Sequence, residues 1–210
     1  MSNQYFNFYY DPIRQGYDTS TWKTLFGTPP QPSSNRLEVA PLSSFVHYGD
    51  ILRGDAKFSL TISAPASGAA KKFGFVQLNR NAYIYFKILN DVLTAETSDG
   101  TTTNSTVIEW QTGWSSAKTD FGIKWEAGRA TFSVGGIEQA VISDASISGD
   151  PLSLYVENTG GDVMPLNNIV VKGIQSFMFT SGNEDSTFEP IVSESDSLII
   201  SESVTVGTPS

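Results

Sequence analysis

Apolar residues recur at every second position in many short runs along the chain, the period of a half-buried strand. Phe58, Leu60 and Ile62 alternate with polar neighbours, as do Ile84, Phe86 and Ile88, and Leu152, Leu154 and Val156. The pattern predicts strands over 36–40, 44–48, 55–63, 72–78, 82–89, 91–97, 105–111, 120–126, 129–134, 137–143, 152–157 and 168–179, and a shorter one over 5–10. Turn-forming pairs separate them: Asn90-Asp91, Asp99-Gly100, Gly135-Gly136 and the run Gly160-Gly161-Asp162. No segment carries the period of a normal amphipathic helix. Many short alternating strands with frequent turns predict an all-β, antiparallel two-sheet sandwich.

The sharpest signal is the stretch 121–136. Phe121, Ile123 and Trp125 share one face of a strand, Ala127-Gly128 turns the chain, and Ala130, Phe132 and Val134 share one face of the returning strand. The flanks read differently. Residues 1–36 mix aromatics with Asp11-Pro12, Pro29-Pro30 and Pro32, and predict an extended N-terminal arm pinned to the body by Trp22, Leu25 and Phe26. The sandwich is assigned to 37–180. Residues 181–210 read as a polar linker followed by two octads, each an apolar residue and then Ser-Glu-Ser. An even repeat keeps side chains on one strand face. Val192, Leu198, Ile199, Ile200, Val204 and Val206 would then face a sheet edge, on the same or a neighbouring subunit; the open alternative is a disordered tail.

Composition narrows the partners. The chain has 210 residues, 39% of them hydrophobic, and a net charge of −9. That supply of apolar residues fills a large core, and the acidic balance disfavours nucleic acid and anionic membrane surfaces as partners. With no cysteine, disulfides and thiolate metal sites are excluded. The start, Met1 to Asp11, lacks the features of a secretory signal. The expected location is a virion or the extracellular space after lysis.

The order of Phe58-x-Leu-x-Ile62, Phe73-Gly-Phe75, Ile123-x-Trp125 with Ala130-x-Phe-x-Val134, Leu152-x-Leu-x-Val156 and Ile169-Val-Val171 resembles the concanavalin A-like lectin/glucanase superfamily. The resemblance covers residues 37–179 and implies a jelly roll of two large antiparallel sheets. It also implies a choice of functions, because that superfamily holds lectins, glycoside hydrolases, adhesion domains and virion proteins. Its hydrolase branch needs Glu-x-Asp-x-Glu on one strand, which places three carboxylates on one sheet face. No predicted strand carries that triplet; Glu109, Glu126 and Glu157 each stand alone on theirs. The resemblance is therefore expected to be to a non-catalytic member.

The remaining chemistry is sparse. His47 is the single histidine, which excludes a histidine-rich metal site, and it reads as a polar loop residue rather than part of a triad with Ser43, Ser44 and Asp50. No cofactor is expected, with calcium the one open case: oxygen ligands are available at Asp50 and Asp55, or at Asn158 and Asp162, where ordinary turn chemistry competes. Arg53-Gly54-Asp55 is a short chance match beside a strand. Tyr83, Tyr85 and Lys87 alternate opposite Ile84, Phe86 and Ile88. With Asn79, Arg80, Trp110 and Trp114 they form a candidate glycan surface, since flat aromatic faces stack on sugar rings; the competing reading buries these tyrosines.

Together these readings lead to an expectation of a non-enzymatic structural subunit of a phage virion, a homo-oligomer or partner of other virion subunits through its terminal arms. The alternative is a carbohydrate-binding module or lectin using the aromatic face.

Overall fold

The computed structural model describes residues 3–10, 19, 22–33, 36–47, 51–60, 70–77, 81–90, 92–115, 117–126, 128–144 and 152–176. The chain divides into Met1–Met178 and Phe179–Ser210. The second unit, with Val192, Leu198, Ile199, Ile200, Val204 and Val206, lies outside the described residues.

The described strands are β1 (Asn3–Tyr10), β2 (Trp22–Phe26), β3 (Gln31–Ser33), β4 (Arg36–Val39), β5 (Ser43–His47), β6 (Ile51–Leu60), β7 (Ala70–Gln77) and β8 (Ala82–Leu89). They continue as β9 (Val92–Asp99), β10 (Thr103–Ile108), β11 (Thr119–Glu126), β12 (Arg129–Val134), β13 (Ile137–Ser143), β14 (Ser153–Asn158) and β15 (Met164–Ser176). One 3-10 turn, Thr112–Ser115, is the only helical element among the described residues. All pairings are antiparallel and fall into two sheets. One runs β13-β12-β11-β6-β15-β4-β3, with β1 also on β15; the other runs β10-β9-β8-β7-β14-β5-β2.

Alternation makes the core. Phe73, Phe75, Ile84, Phe86 and Ile88 of the second sheet meet Phe58, Phe121, Ile123, Trp125 and Phe132 of the first, all buried. Phe73 stands 5.5 Å from Phe58 and 5.3 Å from Phe121, and Phe86 stands 5.1 Å from Phe132, with edge or tilted geometries. These cross-sheet rings join the layers as a sandwich. The turns obey backbone sterics. Gly135 and Gly136, at φ 60° and 80°, form the two-residue connection between Val134 and Ile137, a turn that requires positive φ twice.

The N-terminal stretch supplies strands as well as loop. β1 pairs with β15, β2 with β5, and β3 with β4. Trp22 is buried against Phe45 and His47, at 5.3 and 5.0 Å, whereas Phe26 is exposed. His47 is therefore a buried strand residue packed on an indole, not a loop residue. Arg53-Gly54-Asp55 lies within β6, paired on both sides by β11 and β15, so its backbone is not a presented loop.

Candidate functional site

The outer face of the seven-stranded sheet holds a second, smaller cluster apart from the sandwich core: Val46, Val76, Tyr85 and Tyr155, with Leu25 and Tyr83 packed against it. Strand alternation dictates its membership. Ile84, Phe86 and Ile88 of β8 face inward, so Tyr83, Tyr85 and Lys87 face outward. Register then builds rows across the sheet. Glu96, Tyr85, Gly74 and Tyr155 are consecutive register partners on β9, β8, β7 and β14. Thr94, Lys87, Lys72 and Glu157 form the next row.

Tyr83 and Tyr85 stack, with ring centroids 4.2 Å apart and planes at 10°. Each tyrosine thus gives one face to the other. The Lys72 ammonium lies 5.8 Å from the Tyr85 centroid, within cation–π range. Gly74 permits this packing, because a Cβ there would stand 2.3 Å from the Ile84 carbonyl oxygen and 2.6 Å from the Tyr85 Cα. Burial, with Tyr83 and the nearby Glu96 and Glu157, pushes the Tyr85 hydroxyl well above the ordinary phenol value. Burial and the hydrogen bond to Glu157 do the same for Tyr155. Both phenols therefore act here as neutral hydrogen-bonding groups.

Two ion pairs sit in this face. Lys72 Nζ is 2.7 Å from Glu157 Oε1, and Lys87 Nζ is 3.0 Å from Glu96 Oε1. The Tyr155 hydroxyl donates to Glu157 Oε2 at 2.5 Å, and the Thr94 hydroxyl to Glu96 Oε1 at 3.1 Å. Shallow depressions flank the lysines. One, of about 220 Å³, is lined by Lys72, Gln77, Asn81, Tyr83, Tyr85 and Tyr155 among others. The other, of about 260 Å³, is lined by Lys87, Leu89, Asn90, Val92, Thr94 and Glu96.

The structure places Tyr83, Tyr85 and Lys87 on one face as the alternation predicts, but Tyr85 is buried, as the competing reading has it, while Tyr83 and Lys87 are half-buried. It separates Trp110 and Trp114 from them. Trp114 is buried in the sandwich core near Phe121, at 6.1 Å, and Trp110 packs edge-on against it at 5.5 Å. Trp114 serves the interior, which corrects its place in the glycan surface, and Trp110 is partly buried against it. Asn79 and Arg80 lie outside the described residues. Sequence reasoning missed Glu96, Lys72, Gly74 and Tyr155, which join the site only through cross-strand register.

Of the residues considered for calcium, Asp50 and the Asp55 side chain lie outside the described residues. Asn158 is buried and donates its amide to the carbonyls of Val39 and Asp162, at 2.9 and 2.8 Å, while its oxygen accepts from the Gly160 N–H at 3.0 Å. It braces the loop with its own side chain. Among the described residues no group of three or more His, Asp or Glu side chains is placed to hold a metal.

Glu96 and Glu157 are three strand steps apart, about 14 Å between strand axes. Retaining and inverting glycosidases hold their carboxyl pairs about 5–5.5 and 6.5–9.5 Å apart. These two carboxylates are not spaced as such a couple.

No family model and no curated protein matches the chain. Solved structures do. A β-glucanase of Bacillus licheniformis is similar at 12% identity with a TM-score of 0.64, over 80% of this chain and 97% of that one. The laminarinase catalytic domain from Thermotoga maritima MSB8 is similar at 12% identity and TM-score 0.64, over 82% and 99%. The apo Crh5 transglycosylase is similar at 13% identity and TM-score 0.66, over 80% and 84%. These results correct two expectations, that the chain is a virion subunit and that it is not an enzyme. These three structures are a β-glucanase, a laminarinase catalytic domain and a transglycosylase, and none of them is a virion protein. The chain has the concanavalin A-like jelly-roll fold of β-glucanases.

Proposed function

We propose that this chain is a carbohydrate-active protein of the glucanase and transglycosylase type, taking a β-linked polysaccharide on the outer face of its seven-stranded sheet. The observation that carries the reading is Tyr83, half-buried and stacked on the buried Tyr85, lining one of two shallow depressions on this face. Aromatic surface with a few convergent polar groups is how sugars are held. Gln77, Asn81 and Lys72 supply those groups in one depression, and Asn90, Thr94 and Lys87 in the other. The fold shared with a β-glucanase, a laminarinase and a transglycosylase supports the same substrate class. Glu96 and Glu157 are the carboxylates this face offers to glycosyl chemistry, and their spacing means that each is tested singly.

The test uses the full chain against a panel of neutral and acidic polysaccharides. Retardation in polysaccharide-containing native gels reads binding, and reducing-end release with product chain length reads turnover. The proposal expects retardation by at least one polymer, lost in Tyr83→Ala and Tyr85→Ala variants that melt like the parent. Turnover, if measured, falls in Glu96→Gln or Glu157→Gln. Neither retardation nor turnover across the panel overturns it.

A further inference from the structure

The two lysines of the site sit in an arrangement that a neutral glycan does not require. Lys72 and Lys87 are direct register partners on β7 and β8. Like charges placed opposite one another across a strand pair are destabilising, and the sheet offsets this with a carboxylate outside each, Glu157 next to Lys72 and Glu96 next to Lys87. The depth of the four groups differs. The lysine side chains are 26% and 28% exposed, and their glutamate partners 10% and 9%. Each glutamate is the more buried partner, its carboxylate engaged by Lys72 and Tyr155 or by Lys87 and Thr94. Lys72 also lines one depression and Lys87 the other.

An ammonium has three donors, and each of these has one glutamate oxygen among its contacts. The donors of each ammonium that its glutamate does not take can serve an anionic oxygen of a ligand. The Lys72 head lies beside the Tyr85 ring, so a sugar packed against the tyrosines would bring a ring substituent within its reach.

The acidic balance of the chain is concentrated in one stretch of its sequence. Six acidic residues, Glu184, Asp185, Glu189, Glu194, Asp196 and Glu202, lie beyond β15 with no Lys or Arg among them, so most of the chain's −9 belongs to that stretch.

Resting on the proposed glycan face, we infer that its ligand is an acidic polysaccharide, whose carboxylate or sulfate groups are received by Lys72 and Lys87. The experiment is affinity electrophoresis of the full chain with three probes: alginate as a polyuronate, a sulfated galactan, and neutral laminarin. Binding to at least one acidic polymer is expected to be about tenfold tighter than to laminarin, a difference of one well-made charged contact. The polymer that binds more tightly identifies carboxylate or sulfate as the group received. Lys72→Gln and Lys87→Gln each lower that preference, and the double variant abolishes it. Lys72→Arg with Lys87→Arg retains it, which separates charge from folding. Tyr83→Ala weakens acidic and neutral polymers alike. Equal or tighter binding of laminarin overturns the inference and leaves the glycan face standing. Preference unchanged in a folded Lys72→Gln/Lys87→Gln variant also overturns it. Binding to none of the three overturns the inference, and the wider polysaccharide panel then decides the glycan face.

Discussion

Gly74 is the tightest point of the proposed site, and Gly74→Ala tests the packing beneath it. The added Cβ would lie 2.3 Å from the Ile84 carbonyl oxygen, 2.6 Å from the Tyr85 Cα and 2.7 Å from the Tyr85 Cβ. Ordinary contact begins near 3.5 Å, so the shortfall is about 1 Å. Two of the obstructing atoms are backbone atoms of β8, so no rotamer change relieves them. β7 and β8 must separate locally at the middle of the seven-stranded sheet. Overpacking costs about 1–3 kcal/mol, and a weakened ladder hydrogen bond adds about 1 kcal/mol. A total near 3 kcal/mol lowers the melting temperature by about 6–12 °C for a domain of this size. Calorimetric melting beside Gly161→Ala is the assay, because nothing lies within 4 Å of a Cβ at Gly161 and that variant should stay within about 0.5 kcal/mol of the parent. Gly74→Ala should also weaken polysaccharide binding through the displaced Tyr85. If Gly74→Ala melts like the Gly161 variant, the close approach of β7 to β8 is wrong.

Further outcomes follow from the same contacts. Phe73→Ala removes a ring packed against Phe58, Phe86 and Phe121, and should cost about 3–5 kcal/mol in urea unfolding. Tyr155→Phe deprives the buried Glu157 carboxylate of a donor, and should cost about 1.5–3 kcal/mol by the same method. Burial raises the Asp120 carboxyl pKa, but the Ser59 hydroxyl and the Lys57 ammonium outweigh it, so the net value lies below 3.8. A depressed carboxylate contributes stability that is full above its unfolded pKa and drains as pH falls through the folded one. Asp120→Asn should therefore flatten the loss of stability below about pH 4, and a curve parallel to the parent's in acid titration would contradict the assignment.

Much of the sandwich was legible as alternation. β8, β12 and β13 lie at 82–89, 129–134 and 137–143 as the sequence predicts, because a strict period of two is bounded there by turns that Gly128, Gly135, Gly136 and Asn90 permit at positive φ. Where alternation breaks, the bounds drift. β15 begins at Met164 rather than 168, and its register with β6 shifts between Leu166 and Asn168. The sequence places β2 and β3 within the extended arm. They are short strands at the ends of their sheets, one with an irregular register at Thr24/Phe26 and the other containing Pro32, so neither offers a periodic signal. The site was half legible. Tyr83, Tyr85 and Lys87 declare their face from one strand alone. Glu157 stood alone in the sequence because its partner Lys72 is on another strand, and register, not spacing, unites them. Trp110 and Trp114 lie near the 3-10 turn Thr112–Ser115, where no period indicates which way an indole points.

The most direct measurement is backbone amide chemical-shift mapping of the full chain during titration with the polysaccharide fragment it binds. Perturbations concentrated on the outward positions of β7, β8, β9 and β14, among them Lys72, Tyr83, Tyr85, Lys87, Glu96 and Tyr155, are the predicted result. Perturbations confined to the eight-stranded sheet, or none at saturating fragment, would contradict the account.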